Sequence, residues 1–173
     1  MTNAVLLASA ITSNGNLNLT TSNAGITFNN SSALTNSTLN DYETGTWTPT
    51  FAGSGSNPTI TYSTQNGYYT KIGNLVYLTF RIGVSSTSGG SGNLYLKGFP
   101  FTISSASNNF GTIQFGYGPG FTTACPTYGR YTAGNSFIEL YYLSTPNTET
   151  GVTVGSLTSS SQLIMSMVYQ ATF

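Results

Sequence analysis

Alternating hydrophobic and polar residues dominate the chain beyond position 42 and predict β-strands. The clearest run spans residues 75–84, where every second position is apolar: Val76, Leu78, Phe80, Ile82 and Val84. This period of two predicts a strand with one buried face. Gly73-Asn74 separates it from a second run, Tyr68–Ile72. Because Gly and Asn tolerate positive φ, we expect a tight hairpin there.

Further runs with the same period predict strands toward the C-terminus. Ile113, Phe115 and Tyr117 share one predicted face, and residues 137–143 form a dense apolar run. The last predicted strand has one apolar face: Leu163, Met165, Met167, Tyr169, Ala171 and Phe173. Loops are predicted by Gly, Ser and Asn clusters at 53–57, 85–93, 104–109 and 155–161. About eight or nine short strands predict an all-β fold, an antiparallel β-sandwich or jelly roll.

The N-terminal residues differ from the rest and predict a short extended arm. Residues 1–40 contain no charged side chain, and Phe28 is the only aromatic residue before Tyr42. Such a segment buries little surface alone and needs a partner, unless parts of it are disordered. The candidate interface residues are Leu17, Leu19, Ile26 and Phe28. We therefore divide the chain into an attachment arm, 1–41, and a β-sandwich head, 42–173.

Charge and hydropathy exclude several classes of function. Charged residues make up 5% of the chain, with four basic and four acidic side chains, no histidine and a net charge of zero. A neutral chain cannot neutralise many phosphates, which argues against nucleic-acid binding. The apolar run Ala4–Ile11 is too short to span a bilayer, and it lacks the preceding basic residues of a signal peptide. We expect no membrane insertion.

Few side chains are suited to chemistry. The carboxylates are Asp41, Glu43, Glu139 and Glu149, and without histidine they give little for acid–base catalysis. Asp41 and Glu43 supply fewer oxygens than a calcium site needs. We therefore expect no enzyme activity, no metal and no cofactor. Cys125 cannot form an internal disulfide and is expected to be a small buried apolar residue.

Several aromatic residues are candidates for binding or assembly. Glu139 shares a predicted strand face with Phe137 and Tyr141, where it either pairs with a basic residue or lies beside an aromatic platform suited to a sugar. Adjacent strand residues point to opposite faces, so one ring of each tyrosine pair should face away from the core. The candidate ligand or interface aromatics are Tyr68, Tyr69, Tyr141 and Tyr142.

Residues 39–50 (LNDYETGTWTPT) and 67–77 (GYYTKIGNLVY) resemble a module of tailed-bacteriophage tail-fibre and virion-surface proteins. In that family a DYEEGTWTP-like stretch precedes a YTKIGNxVY-like hairpin, and a GIxF patch often lies upstream, as Gly25–Phe28 does here. The resemblance covers roughly residues 25–85. Thr44 stands where a second acidic residue is common. The resemblance implies a virion protein outside the cell, usually a homotrimer with a β-sandwich head, in which Trp47 and Tyr42 are structural anchors.

Three functions follow from this resemblance and from the missing catalytic set. The first is a homotrimeric surface spike or short fibre that contacts the host surface, and the second is a capsid decoration protein that stabilises the head. A glycan-cleaving tail enzyme is a remote third. Attachment predicts exposed aromatic residues on the loops 53–57, 85–93 or 118–128, whereas decoration predicts a large buried area. The expected partners are other copies of the chain, tail or capsid proteins and, for attachment, a host surface glycan.

Overall fold

A computed structural model of the chain describes residues 41–106, 111–123 and 125–172, and the backbone of residues 26–27 and 38–39. Leu17, Leu19, Phe28 and the side chain of Ile26 lie outside this description. The chain divides into two compact units, Met1–Tyr42 and Glu43–Phe173. In the first unit, β1 (Ile26–Thr27) pairs antiparallel with β2 (Thr38–Leu39).

Strands make up most of the chain from Tyr42 onward. They are β3 Tyr42–Trp47, β4 Thr50–Gly53, β5 Thr59–Ile72, β6 Leu75–Ser88, β7 Leu94–Lys97, β8 Gly111–Tyr117, β9 Tyr128–Tyr131, β10 Ile138–Thr145, β11 Thr148–Gly151 and β12 Gln162–Gln170. Within the described residues the sole helical element is one 3-10 turn, Val154–Ser156. The strands form one antiparallel sheet in the order β3-β5-β6-β12-β8-β9-β10-β7-β4, and β11 also pairs with β10. The predicted all-β antiparallel fold is confirmed.

The sheet folds back on itself into a sandwich-like arrangement. Its two terminal strands, β3 and β4, are consecutive in the chain and are separated by only Thr48 and Pro49. Rings from the two halves meet in the interior, where Tyr131 of β9 lies 6.4 Å from Tyr169 of β12. Fully buried apolar residues from both halves form one core, among them Leu78, Ile82, Leu96, Ile138, Leu140 and Leu163.

The central hairpin follows the sequence pattern and extends beyond it. β5 and β6 are 14 residues long each and join at Gly73-Asn74, where Gly73 has a φ of 59°. The apolar positions of β6 are buried, as predicted. Residues 86–88, predicted to lie in a loop, instead pair with residues 59–61. The sequence pattern did not predict this extension of the strand, because its Ser and Thr residues show no alternation of apolar and polar positions. Backbone pairing, and not burial of alternate side chains, stabilises it.

One strand departs from its predicted alternation. In β8, Ile113 is buried and Phe115 packs against the core, but Tyr117 is 51% exposed. The pairing of β8 with β12 shifts register between Ile164 and Met165, and this bulge reverses the alternation. β12 agrees with its prediction, since its alternate residues are buried: Leu163, Met165, Met167 and Tyr169. Ala171 is also buried, and Phe173 lies outside the described residues.

Candidate functional site

The two stretches that carry the sequence resemblance pack against each other. Trp47 is 6% exposed; its ring stacks on Phe99 with centroids 5.6 Å apart and meets Phe80 edge-on at 5.4 Å. A Cβ atom at Gly67 of β5 would collide with the Trp47 indole. A Cβ atom at Gly45 of β3 would collide in the same way with the Tyr69 ring. Each stretch therefore supplies a glycine for an aromatic ring of the other, which gives the two motifs a packing reason to occur together.

The two predicted anchors have different environments. Trp47 lies in the core, but its Nε1 has no hydrogen-bond partner among the described residues, although a buried indole N–H usually finds one. The indole lies against Gly67 and between aromatic rings, which offer no strong acceptor. Tyr42 is 66% exposed and takes no part in the core, contrary to its prediction as an anchor. Five positions separate it from Trp47, and a period of two places them on opposite faces of β3.

The tyrosine pairs also differ from each other. Tyr68 is 60% exposed, whereas Tyr69 packs edge-on against Phe101 with centroids 5.2 Å apart. In the second pair, Tyr142 packs against the core and Tyr141 faces outward. Tyr141 is nevertheless only 7% exposed. Other side chains cover it, and these belong to a polar cluster that the sequence did not reveal.

This cluster, termed the Arg130 cluster, lies on the outer side of β9, β10 and β11. Its members are Asn93, Tyr128, Arg130, Glu139, Tyr141 and Glu149. The register of the sheet places Arg130 opposite Glu139 and Tyr128 opposite Tyr141. The Tyr128 and Tyr141 rings stack with centroids 5.7 Å apart, and the Arg130 guanidinium lies 4.7 Å from the centre of the Tyr141 ring. Two of the chain's four carboxylates therefore share one site.

Hydrogen bonds join these side chains into one network. Arg130 Nη1 donates to Glu149 Oε2 at 2.9 Å, and Tyr128 Oη donates to Glu149 Oε1 at 2.6 Å. Arg130 Nη2 donates to Tyr141 Oη at 3.1 Å. Asn93 Nδ2 donates to Glu139 Oε1 at 2.6 Å. Glu139 was expected to pair with a basic residue. Arg130 does lie opposite Glu139 in the sheet, but Arg130 forms its ion pair with Glu149 instead.

The electrostatics of the Arg130 cluster keep its tyrosines protonated. Burial raises the pKa of Tyr128 to about 12, with further contributions from the hydrogen bond to Glu149 and from its charge. Burial, followed by hydrogen bonding to Glu139 and its charge, also raises the pKa of Tyr141, and Arg130 opposes this in part. Desolvation alone would lower the pKa of Arg130, but Tyr141, Glu149 and Glu139 outweigh it and raise this pKa. Both tyrosines therefore stay protonated to higher pH than a free tyrosine does.

Aromatic residues also flank Glu139 on the side of β7. Its partner across the β7–β10 pair is Tyr95, whose ring stacks on Phe137 with centroids 4.2 Å apart. Lys97 Nζ lies 5.9 Å from the centre of the Phe137 ring. The sequence predicted either a basic residue or an aromatic surface beside Glu139, and the structure places both nearby. Arg130, Tyr128 and Asn93 were missed because cross-strand register, which the sequence does not display, brings them together.

A second surface lies on the other half of the sheet. The β6/β12 face is the outer side of β5, β6, β12 and β8, and it carries seven of the nine large apolar side chains that are exposed in the described residues: Tyr68, Ile72, Leu75, Tyr77, Tyr117, Ile164 and Val168. Thr79 and Ser166 are cross-strand partners at its centre. Because these two side chains are short, a depression of about 480 Å³ forms here, bordered by Tyr68, Arg81, Gln114 and Ile164. The predicted loops 53–57, 85–93 and 118–128 carry none of the nine, contrary to the attachment expectation.

The described residues offer little else for chemistry. They contain no group of three or more potential metal-ligating His, Cys, Asp or Glu side chains. They also contain no helix long and apolar enough to cross a membrane. Cys125 is partly buried; its thiol donates to the Gly118 carbonyl oxygen, and burial raises the pKa of the thiol.

The fold is similar to that of a solved structure. The crystal structure of Dettilon tailspike protein (gp208) aligns with a TM-score of 0.60 and 21% sequence identity over 76% of this chain. The match spans 24% of that protein, so this chain corresponds to about a quarter of its length. No protein-family model matches the sequence, and no curated protein matches it either. The likeness is therefore one of fold.

Proposed function

We propose that the chain is a structural protein on the surface of a tailed-bacteriophage virion, a homotrimeric spike or short fibre of the tail that contacts the host surface. The observation that carries this proposal is the fold that it shares with part of a tailspike protein. The phage-type motifs add support, because their residues pack reciprocally at Gly67 with Trp47 and at Gly45 with Tyr69. In this proposal the arm, residues 1–41, attaches the head to the particle.

Host contact would use a rigid, mostly neutral surface. The Arg130 cluster supplies stacked rings with hydroxyl, amide and carboxylate groups, a combination that suits a surface glycan. The aromatic loop residues expected for attachment are absent from the exposed apolar set of the described residues. That observation favours capsid decoration as a second candidate, in which a large apolar face is buried against neighbouring proteins.

We also propose that the chain acts without catalysis. Donors already hold both carboxylates of the Arg130 cluster, since Glu139 accepts from Asn93 and Glu149 accepts from Arg130 and Tyr128. A carboxylate bound in this way is poorly placed to exchange protons with a substrate. Release of reducing sugar ends from host polysaccharide, lost in Glu149→Gln, would overturn this part of the proposal.

Antibody-labelled electron microscopy of intact virions tests the location. Label on the tail or its appendages is the expected result. Label spread over the head would instead make the chain a decoration protein, and capsid stability would then be compared with and without it. Particles that carry no label at either place would overturn both functions.

A further inference from the structure

The β6/β12 face has the composition of a contact surface. Single exposed apolar side chains are normal on a protein, whereas contiguous apolar patches mark interaction sites. Here the register makes the patch contiguous, because Tyr77 lies opposite Val168 and Ile72 lies opposite Leu75. These four side chains are 44–48% exposed. They form an apolar ridge at the hairpin end of the face.

Next to this ridge lies the depression at Thr79 and Ser166. Tyr68 is the partner of Thr79 on β5, and Gln114 is the partner of Ser166 on β8, so long side chains stand on both sides of two short ones. The same face therefore carries an apolar ridge of half-exposed side chains and a depression of about 480 Å³. The ridge of one copy can thus be placed against the depression of another.

The charge of the face points to the same partner. Among its described residues the only charged side chain is Arg81, whose Nη2 already donates to Gln162 Oε1 at 3.1 Å. A contact between copies brings identical surfaces together, so a charged face would repel itself. The remaining polar groups are amides and hydroxyls, such as Asn66, Gln114 and Ser166, which both donate and accept hydrogen bonds. Identical groups of this kind can pair across an interface.

The size of the face suits a ring of copies. Four strands about 4.8 Å apart, each presenting about seven residues at ~3.3 Å per residue, give a flat area of roughly 450 Å². In a head-to-tail ring each face is covered once, in part by each neighbour, so three copies together cover roughly 1,350 Å² of flat area, and the relief of the side chains adds to it. Each pairwise contact is small, but closure of the ring makes the three contacts act together, so the assembly as a whole buries an area in the range of specific complexes.

We propose that the β6/β12 face is the surface through which copies of this chain associate, with the ridge of one copy seated in the depression of the next. Contacts of this head-to-tail kind close into a ring when the rotation between copies is a simple fraction of a turn. The number of copies, three, rests on the proposed function. The inference adds the surface through which the three copies would contact one another.

The test measures the mass of the full-length protein in solution by size-exclusion chromatography with light scattering. The wild type should have three times the 18.2 kDa mass of one chain. Val168→Lys places a charge in the ridge and should reduce the mass to that of one chain at the same concentration. Leu143→Lys is the matched control, because Leu143 is 55% exposed on a strand of the other half, and it should keep the mass of three chains.

A second variant guards against misfolding. Ser166→Lys fills the depression and leaves the ridge residues themselves unchanged, and it too should give a single chain with the circular dichroism of a β-rich fold. A trimer that survives both substitutions would overturn the inference while leaving the proposed function intact. Loss of assembly in Leu143→Lys as well would show that the face is not specific and would also overturn it. A wild type that is monomeric at every concentration, with label still on virions, would also overturn the inference and leave only the virion location standing.

Discussion

At the scale of single residues, Trp47 is the side chain on which the motif region depends most. It is buried between Phe80 and Phe99, and no smaller residue would fill that space. Trp47→Ala should lower the free energy of unfolding by about 3–5 kcal/mol, as for other large-to-small core substitutions. Because the chain has one tryptophan, the denaturant titration is followed by circular dichroism rather than fluorescence. Tyr42→Ala, an exposed aromatic on the same strand, should change stability by less than about 0.5 kcal/mol.

Gly67 sets a second test at this scale, since its missing side chain makes room for the indole. Gly67→Ala should lower the free energy of unfolding by about 1–3 kcal/mol, because the added methyl group displaces a packed ring. The same substitution in a background with Trp47→Leu should cost less, since the ring is gone. Gly155→Ala serves as the control, because its Cβ would come no closer than 3.8 Å to a neighbouring atom. An equal loss of unfolding free energy in both backgrounds would show that the cost of Gly67→Ala does not come from a collision with Trp47.

At the scale of strands, the Arg130 cluster ties β9, β10 and β11 together and should make stability fall at alkaline pH. The Tyr128 pKa of about 12 in the folded state lies above its ordinary value of 10.0. The folded protein therefore holds this proton more tightly, and the resulting stability is complete below pH 10 and lost as pH rises toward 12.

Unfolding measured by denaturant at several values between pH 9 and 12 checks this prediction. The wild type should lose stability between pH 9 and 12, and Tyr128→Phe should lose less. The slope of its unfolding free energy against pH should be smaller by the equivalent of up to one proton. The control is Leu143→Ala, a change at an exposed and non-titrating residue of β10, which should retain the slope of the wild type. Identical slopes for all three proteins would show that Tyr128 is not responsible.

The strands differ in how well the sequence pattern could predict them. β6 and β12 were predictable because their alternate residues are buried on one side only. The short strands β4, β7, β9 and β11 have four residues each, too few for a period to stand out. The Arg130 cluster could not be predicted, because Arg130 and Glu149 are 19 positions apart and meet only through the pairing of β10 with both neighbours.

At the scale of the whole molecule, the scarcity of charge decides how the protein responds to its medium. Solubility here comes from hydroxyl and amide groups, since charged residues are 5% of the chain and threonine, serine and asparagine are abundant. Such a surface interacts weakly with salt ions. Without histidine, few groups titrate between pH 5 and 8. These properties suit a particle protein that meets variable media outside a cell.

The melting temperature should therefore stay nearly constant between low and high salt and across pH 5–8. The exposed ion pair between Arg130 and Glu149 is one place where salt would act, and such a pair contributes only about 0–1 kcal/mol. A small residual shift with salt should accordingly decrease in Arg130→Gln, whereas Arg81→Gln, on the β6/β12 face, should retain it. Thermal melts by circular dichroism at low and at molar salt make the comparison. A shift of many degrees in the wild type would mean that charge contributes far more to stability than the composition allows.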